Sequence, residues 1–600
     1  MKKMLRWFWM FNLLFPSLIL PESSAANDFK AKLLVNHIGY EAEGVKGVVF
    51  QTNSDLVPGE FVVSEKLSDK VVFQGSFESG GEIDSWHTGN AYYGDFSNLK
   101  DKGEFYITLD FDGREIRSEA FTVGDQVIAA ETLWVLAKGI NSQRTAGDFN
   151  EADKKMSFYG YRNDTVDVSG GWYDASGDRG KYISHLNYAN FMSPQQAPMV
   201  VWNFIEASNN LKHYNNKDQS SVIDAYIDEA AHGADWLVRI QDPEGYFYIN
   251  VFANWSWDHT RRQICAYISQ DGFRTSNYEA GYREGGGMSI AALARAYAEG
   301  ISGEFSSQKY LEAAIKGFDH LQENNLKYIH NGIENIIDDY TALMAATELY
   351  NATQEDRFLA AARVRMENLV NRISSDGNID NYWRADDEDI RPYFHAAEAG
   401  LPLISLITYL QYEDDNEYRE KAIDAVKSSV DFEISVTNEV NNPFGYARQY
   451  VKGTNEDEKR TAFFIPQNNE TGYWWQGENA RISSLSAAIY KSIPYIDEDK
   501  RDDALKYAIS QINWILGMNP YNMTMLEGRG RNNPPYSEGG NELNVTGCVC
   551  NGITGGFGDE TDIAFRPYPY GEDLSQRWRW SEQWLQHGSW LMLAISEMIK

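Results

Sequence analysis

The 600 residues are 43% hydrophobic and 14% aromatic, enough apolar mass for a large packed core, which excludes a disordered or low-complexity chain. Lys and Arg number 54 against 87 Asp and Glu, so the formal charge is -33 and the pI about 4.7, a surface that repels phosphate backbones and anionic headgroups and argues against nucleic acid or bare membrane as partners. The 48 Gly, 17 Trp, 36 Tyr and 29 Phe suit sugar binding on shaped loops, although aromatic rings also fill cores.

The N-terminus has a basic start (Lys2, Lys3, Arg6), an apolar stretch from Trp7 to Leu20 and small residues at Ser23, Ser24, Ala25 and Ala26. This pattern predicts a signal peptide over 1–26 and export to the periplasm or the medium. The apolar stretch is short for a membrane span, so no membrane insertion is expected once it is removed. Cys265, Cys548 and Cys550 are the only cysteines, and one residue between the last two makes a mutual bridge awkward. All three read as packing residues, and without paired Cys/His spacing no metal ligand is predicted.

From Lys32 to Val123 the chain reads as short alternating strands between Gly, Asp and Ser turns. Phe105, Ile107, Leu109 and Phe111 fall on one face, with Tyr106, Thr108 and Asp110 on the other. This predicts a β-sandwich domain over 27–124. Beyond Gly124 the period becomes helical, as in Ile223, Ile227, Ala230, Ala234 and Leu237, a run stopped by Asp242-Pro243. Helical patterns fall near 127–142, 194–210, 219–241, 286–300, 306–324, 336–351, 354–373, 394–412, 415–435, 479–491, 500–516 and 582–599. Twelve helices without regular strands between them predict an α/α toroid over 125–600, six hairpins whose loops at one end meet at a central cleft.

The densest chemistry lies in Asp167-Val-Ser-Gly-Gly-Trp-Tyr-Asp174-Ala-Ser-Gly-Asp178-Arg-Gly-Lys181-Tyr182. Glycines let a loop bend Asp174 and Asp178 toward one point. Mutual repulsion raises the pKa of at least one, with Arg179 or Lys181 available to offset it, so one aspartate can act as a base while the other orients a water. Far along the chain, Glu582 stands among Trp578, Trp580 and Trp584 at the predicted start of the last helix. Desolvation by the indoles favours a neutral acid, whereas the helix N-terminus and Arg577 and Arg579 favour the anion. A loop-borne base and a remote protonated glutamate are the parts needed to hydrolyse a glycosidic bond with inversion, without metal or nucleotide. A calcium loop at the aspartates and a capping role for Glu582 are the alternatives.

Three segments carry a family resemblance: Leu33-Leu34-Val35-Asn36-His37-Ile38-Gly39-Tyr40, Gly170-Gly171-Trp172-Tyr173-Asp174 and Ser581-Glu582-Gln583-Trp584. In them the chain resembles glycoside hydrolase family 9, in particular bacterial members with an N-terminal immunoglobulin-like domain. The resemblance implies an immunoglobulin-like β-sandwich followed by an all-α (α/α)6 barrel. It implies Asp178 as base, Asp174 as the group that positions the water and Glu582 as acid, in a secreted inverting hydrolase of β-1,4-linked glucans. The family's usual loop is Asp-Ala-Gly-Asp, whereas here Ser176 is inserted, which leaves open whether Asp174 or Asp178 is the base. Gly528-Arg529-Gly530-Arg531-Asn532 resembles the start of the family's histidine signature, but Ser537, Glu538, Gly539 and Gly540 stand where its His-x-Arg ending falls. Arg531 is therefore a candidate substitute in sugar binding, and exo action on short gluco- or glucosamino-oligosaccharides (an exo-β-glucosaminidase or β-glucosidase) is the alternative activity.

Further candidate sugar contacts are Trp172 and Tyr173 in the loop, Tyr473, Trp474 and Trp475 before a helix, and His395 in Arg391-Pro-Tyr-Phe-His-Ala-Ala-Glu398. Trp255, Trp257, Asp258 and His259 form a weaker cluster. No cofactor is required by this chemistry; a structural calcium at Asp559-Glu560-Thr561-Asp562 is an expectation, against an ordinary acidic turn. A non-catalytic glycan-binding protein is the competing class, and a toroidal polysaccharide lyase fits poorly because it needs a cationic site for its uronate.

Overall fold

The computed structural model describes residues 30–213, 220–472, 476–538, 541–556, 558–566 and 576–600. The predicted signal peptide and the candidates Tyr473, Trp474 and Trp475 lie outside them.

Ten strands occupy residues 31–124: β1 (Ala31–Leu34), β2 (Tyr40–Glu41), β3 (Gly47–Thr52), β4 (Glu60–Glu65), β5 (Val71–Ser76), β6 (Gly81–Glu82), β7 (Asn90–Asp95), β8 (Gly103–Phe111), β9 (Arg114–Arg117) and β10 (Phe121–Gly124). They form two sheets, β1-β3-β7-β6 and β2-β10-β8-β4-β5, with β9 on β8. The alternation in β8 sets its pairing with β4, Val63 opposite Ile107 and Phe61 opposite Leu109. Phe105, Ile107, Leu109 and Phe111 point into one core with Val48, Phe50, Phe61 and Val63. On the other face Asp110 is exposed, while Tyr106 is covered by Arg117, whose guanidinium lies 3.4 Å from the ring centroid.

Twelve long helices follow among the described residues: α1 (Val127–Ser142), α2 (Ala197–His213), α3 (Ser220–Arg239), α4 (Gly287–Ala298), α5 (Ser307–Tyr328), α6 (Ile336–Thr353), α7 (Asp356–Val370), α8 (Leu401–Leu410), α9 (Asn416–Thr437), α10 (Asn479–Ser492), α11 (Arg501–Ile515) and α12 (Leu585–Met598). The even-numbered helices pack each on the next, and α12 returns to α2, so six helices close an inner ring with the odd-numbered ones outside. Patterning dictates the layers. In α6 every residue from Ile336 to Leu349 is buried, whereas α5 buries a single stripe of Tyr310, Leu311, Ala314, Phe318 and Leu321.

Three helices start three or more residues later than their periodicity predicts, α2 at Ala197 instead of near 194 among them. Residues 396–400 form a turn before Leu401, and Glu582 to Trp584 are extended because Gln583 and Trp584 bridge to Cys550 and Ala175. Glu582, at φ -60 and ψ 136, is therefore outside the last helix, and the helix-terminus argument does not apply to it.

The two domains join through the Leu33 to Tyr40 motif. Asn36 donates to Asn513 (2.8 Å), His37 Nε2 meets Asn522 (2.7 Å) and Thr524 meets His37 Nδ1 (2.7 Å). Trp86 inserts its indole into the barrel, 4.5 Å from Phe463 and stacked on Phe464 at 6.0 Å, beside Phe444 and Trp514. Trp86→Ala should cost about 3 kcal/mol, as for other buried aromatics, and lower the thermal midpoint of the intact chain. An unchanged melting curve would show that the indole does not anchor the domains.

Candidate active site

The stretch from Gly170 to Tyr182 is built on two left-handed glycines, Gly170 (φ 87) and Gly171 (φ 70), and a Cβ on Gly171 would meet the Trp236 ring at 2.7 Å. Beyond them Ala175 and Asp178 exchange backbone hydrogen bonds (3.4 and 3.3 Å), so the inserted Ser176 is absorbed in a tight turn and the two aspartates stay together. The chain then enters strand Lys181–Tyr182, which pairs with Asn250–Phe252.

The turn is clamped to the C-terminal segment. Ser176 N donates to Gln583 O (3.0 Å), Leu585 N to Asp174 O (2.9 Å), and Ala175 bridges Trp584. Gln583 N in turn donates to the Ser176 hydroxyl (3.3 Å). This pairing across some four hundred residues brings Glu582 to the aspartates: a Cβ on Gly177 would lie 2.5 Å from Glu582 Oε1 and 2.7 Å from the Tyr536 hydroxyl. The glycine leaves the space that the carboxyl group needs.

Asp174 Oδ1 accepts hydrogen bonds from Gln196 Nε2 and from the Trp584 indole (2.9 Å). Asp178 accepts from Gly180 N (2.7 Å) and the Tyr182 hydroxyl (2.8 Å). Burial raises both carboxyl groups above the ordinary range; Asp174 rises furthest, since the charges of Asp178 and Glu582 add to its desolvation. For Asp178 the Gly180 amide, Tyr182, Arg262 and Arg179 all oppose the rise. Negative charge is therefore less disfavoured on Asp178 than on Asp174.

Of the two cations expected to offset the repulsion, only Arg179 does so, held between the rings of Tyr173 (4.6 Å) and Trp257 (4.3 Å). Lys181 is turned away into a buried ion pair with Asp153 (2.6 Å) and bonds the carbonyls of Val168 and Gly170. Arg262, with its own pair to Asp153 at 3.3 Å, supplies the second positive field. The histidine that sequence reading missed is His185, whose Nε2 lies 3.7 Å from Asp174 Oδ2 and 4.0 Å from Asp178 Oδ2. These three side chains form the one group among the described residues whose ligand atoms, within 4.8 Å of one another, could hold a metal ion.

A family model described as "Glycosyl hydrolase family 9" matches residues 134–537, and one described as "Cellulase N-terminal ig-like domain" matches residues 28–114. The chain belongs to glycosyl hydrolase family 9. It is thus a glycoside hydrolase with an N-terminal immunoglobulin-like domain and the helical barrel of that family. It is 20% identical over 547 residues to endoglucanase D of Acetivibrio thermocellus, covering 87% of this chain and 77% of that protein. A cellodextrinase of Butyrivibrio fibrisolvens is 30% identical over 174 residues, 26% of this chain; that match spans 30% of the cellodextrinase. Among solved structures, Bacteroides ovatus GH9 superposes with a TM-score of 0.64 at 16% identity (94% of this chain, 98% of that one). A metagenome-derived family 9 endoglucanase gives 0.61 at 16% identity (95% and 99%). At that identity both show the fold alone.

Three predicted sugar contacts of this family 9 chain sit elsewhere. Trp172 is packed away, its indole N–H on Glu229 (3.0 Å), because the loop folds that ring under itself. His395 is fully buried and its Nδ1 accepts the amides of Ala397 and Glu398, so it caps the turn before α8. Arg531 lies at the domain junction, its amide on His37 Nδ1 (3.2 Å) and its guanidinium in the field of Tyr40 and Glu119. Tyr173 lies against the Arg179 guanidinium, with its hydroxyl donating to the Ala146 carbonyl (3.2 Å). Trp257, from the weaker cluster, does reach the site: its half-exposed indole donates to Gly177 O (3.2 Å). In the acidic segment, Glu560 pairs with Arg460 (2.6 Å) and Asp562 with His87 (2.9 Å), while Asp559 accepts from Thr561.

Asp174 has a raised folded-state pKa, so its contribution favours folding below the ordinary aspartate value and is lost as pH rises toward the folded value. Asp174→Asn should therefore melt higher than the parent at pH 7, with the difference shrinking toward pH 4. Equal melting temperatures across that range would contradict the electrostatic strain.

Proposed function

We propose that the chain is an exported, inverting hydrolase of β-1,4-linked glucans and gluco-oligosaccharides. The observation that carries this reading is the Ala175–Trp584 pairing, which sets Glu582 against Gly177 between the two aspartates. In the reaction, Asp178 takes a proton from water as the water oxygen bonds to the anomeric carbon, and Asp174 helps to hold that water. The bond to the leaving oxygen breaks, its electron pair taking the proton of Glu582. Asp178 suits the base because amide, phenol and two arginines favour its charged form. Residues 1–26 support export. The names of the relatives, a cellodextrinase and an endoglucanase, support a β-glucan substrate of either length. A net charge of -33 favours a second reading, exo action on cationic glucosamine oligosaccharides.

Product analysis over time on cello-, xyloglucan-, mixed-linkage and chitosan-derived oligosaccharides separates these readings: early monomer alone indicates exo action, and a spread of lengths endo action. Glu582→Gln should lose at least about a hundredfold in kcat on natural glycosides, the usual worth of a general acid, while still binding them; near-normal turnover would remove Glu582 from the acid role. Proton NMR of the first product should show an inverted anomeric configuration, and retention would reject the water-and-base mechanism.

A further inference from the structure

The three carboxyl groups leave the position of His185 unexplained. Asp174 spends Oδ1 on Gln196 and Trp584, so the oxygen facing His185 is Oδ2, at 3.7 Å from Nε2. The Asp178 oxygen that accepts from Tyr182 faces the same nitrogen at 4.0 Å. Both separations are too long for a direct hydrogen bond, and both suit one small bridging group. Nε2 is buried without a hydrogen-bond partner, an unfavourable state if nothing fills it.

The ring is also held in place. It lies against Tyr182 at 3.5 Å between centroids, with Tyr267 at 6.3 Å. The next residue, Leu186, is left-handed (φ 57), a conformation that a leucine keeps only when its surroundings impose it. Here Ser193 donates its hydroxyl to Leu186 O (3.1 Å) and Ser184 to His185 O (3.0 Å), fixing the backbone on both sides of the carbonyls.

Resting on the hydrolase reading above, we propose that His185 Nε2, Asp174 Oδ2 and Asp178 Oδ2 form a three-point seat for the attacking water, with His185 as its positioning residue. The neutral imidazole carries its proton on Nε2 and donates to the water oxygen. With both aspartates ionised, the water donates one hydrogen to each, and the remaining lone pair is left with a single direction. As the water oxygen bonds to the anomeric carbon, its proton passes to Asp178 and the leaving oxygen takes the proton of Glu582. His185 keeps its own proton throughout and is neither acid nor base. Burial pulls this imidazole down to about 3, so it adds no charge that would weaken the base. A lysine there would orient the water equally but hold Asp178 too acidic to accept a proton.

Two substitutions separate this role from a packing role. His185→Phe keeps a ring against Tyr182 and Tyr267 without an N–H, and His185→Gln keeps an N–H of similar reach without the ring. The seat predicts that His185→Phe lowers kcat roughly 10- to 100-fold, the scale of a misplaced reactant, with KM and oligosaccharide Kd unchanged, and that His185→Gln recovers part of the loss. The opposite order, with the Phe variant near the parent and the Gln variant impaired, would overturn it. A high-resolution crystal structure of the resting chain should show one ordered water within about 3 Å of all three atoms, displaced in His185→Phe. A direct His185–Asp174 hydrogen bond, or a metal ion in that seat, would also overturn it. If the parent hydrolyses none of the glycans, the hydrolase reading falls, while the crystallographic water still decides the seat.

Discussion

Everything at the site depends on one short antiparallel contact, in which the turn from Ala175 to Asp178 pairs with the segment from Glu582 to Trp584. The contact closes the ring: α12 must return to α2 for the six inner helices to cover one another, and the aspartate loop precedes α2 while the Glu582 segment lies just before α12. The inserted serine takes part in the closure. Both its amide and its hydroxyl bond Gln583, the neighbour of Glu582, so the inserted serine adds a clasp between the aspartate turn and the Glu582 segment.

Bringing three carboxyl groups into a space with little water is unfavourable in itself, and the surroundings show how the cost is limited. Each aspartate has two hydrogen-bond donors, and Asp178 also feels Arg262 and Arg179. The buried set of Lys181, Arg262 and Asp153 beneath the loop carries one more positive charge than negative, and the field of Arg262 favours the charged form of Asp178. The result is division of labour between two like side chains. Asp174 is pushed toward the neutral form and Asp178 is held closer to the anion, a difference set by neighbours alone.

The N-terminal domain contributes from a distance. Its Asn36 and His37 grip residues 513–524, from the end of α11 onward, and the chain runs from there through Arg531 to Tyr536, whose hydroxyl reaches Gly177 beside Glu582. The domain thus buttresses the chain that packs beside Glu582, and Arg531, which the family resemblance suggested for sugar binding, lies in that junction.

Periodicity was sufficient for the strand faces of β8 and for all twelve long helices, because burial of an apolar stripe is a local property that each segment writes for itself. The acidic residues were legible too, since Asp174, Asp178 and Glu582 sit in dense, distinctive stretches with glycine and tryptophan around them. What the sequence could not contain is which side chains meet across the closed ring. His185, Gln196, Arg262 and Tyr536 stand in unremarkable local contexts and acquire roles only when segments far apart in the chain face each other. For the same reason Trp172 and His395, conspicuous in the sequence, turn inward: a loop's side-chain directions follow from the surface that it folds against, and that surface exists only in the assembled barrel.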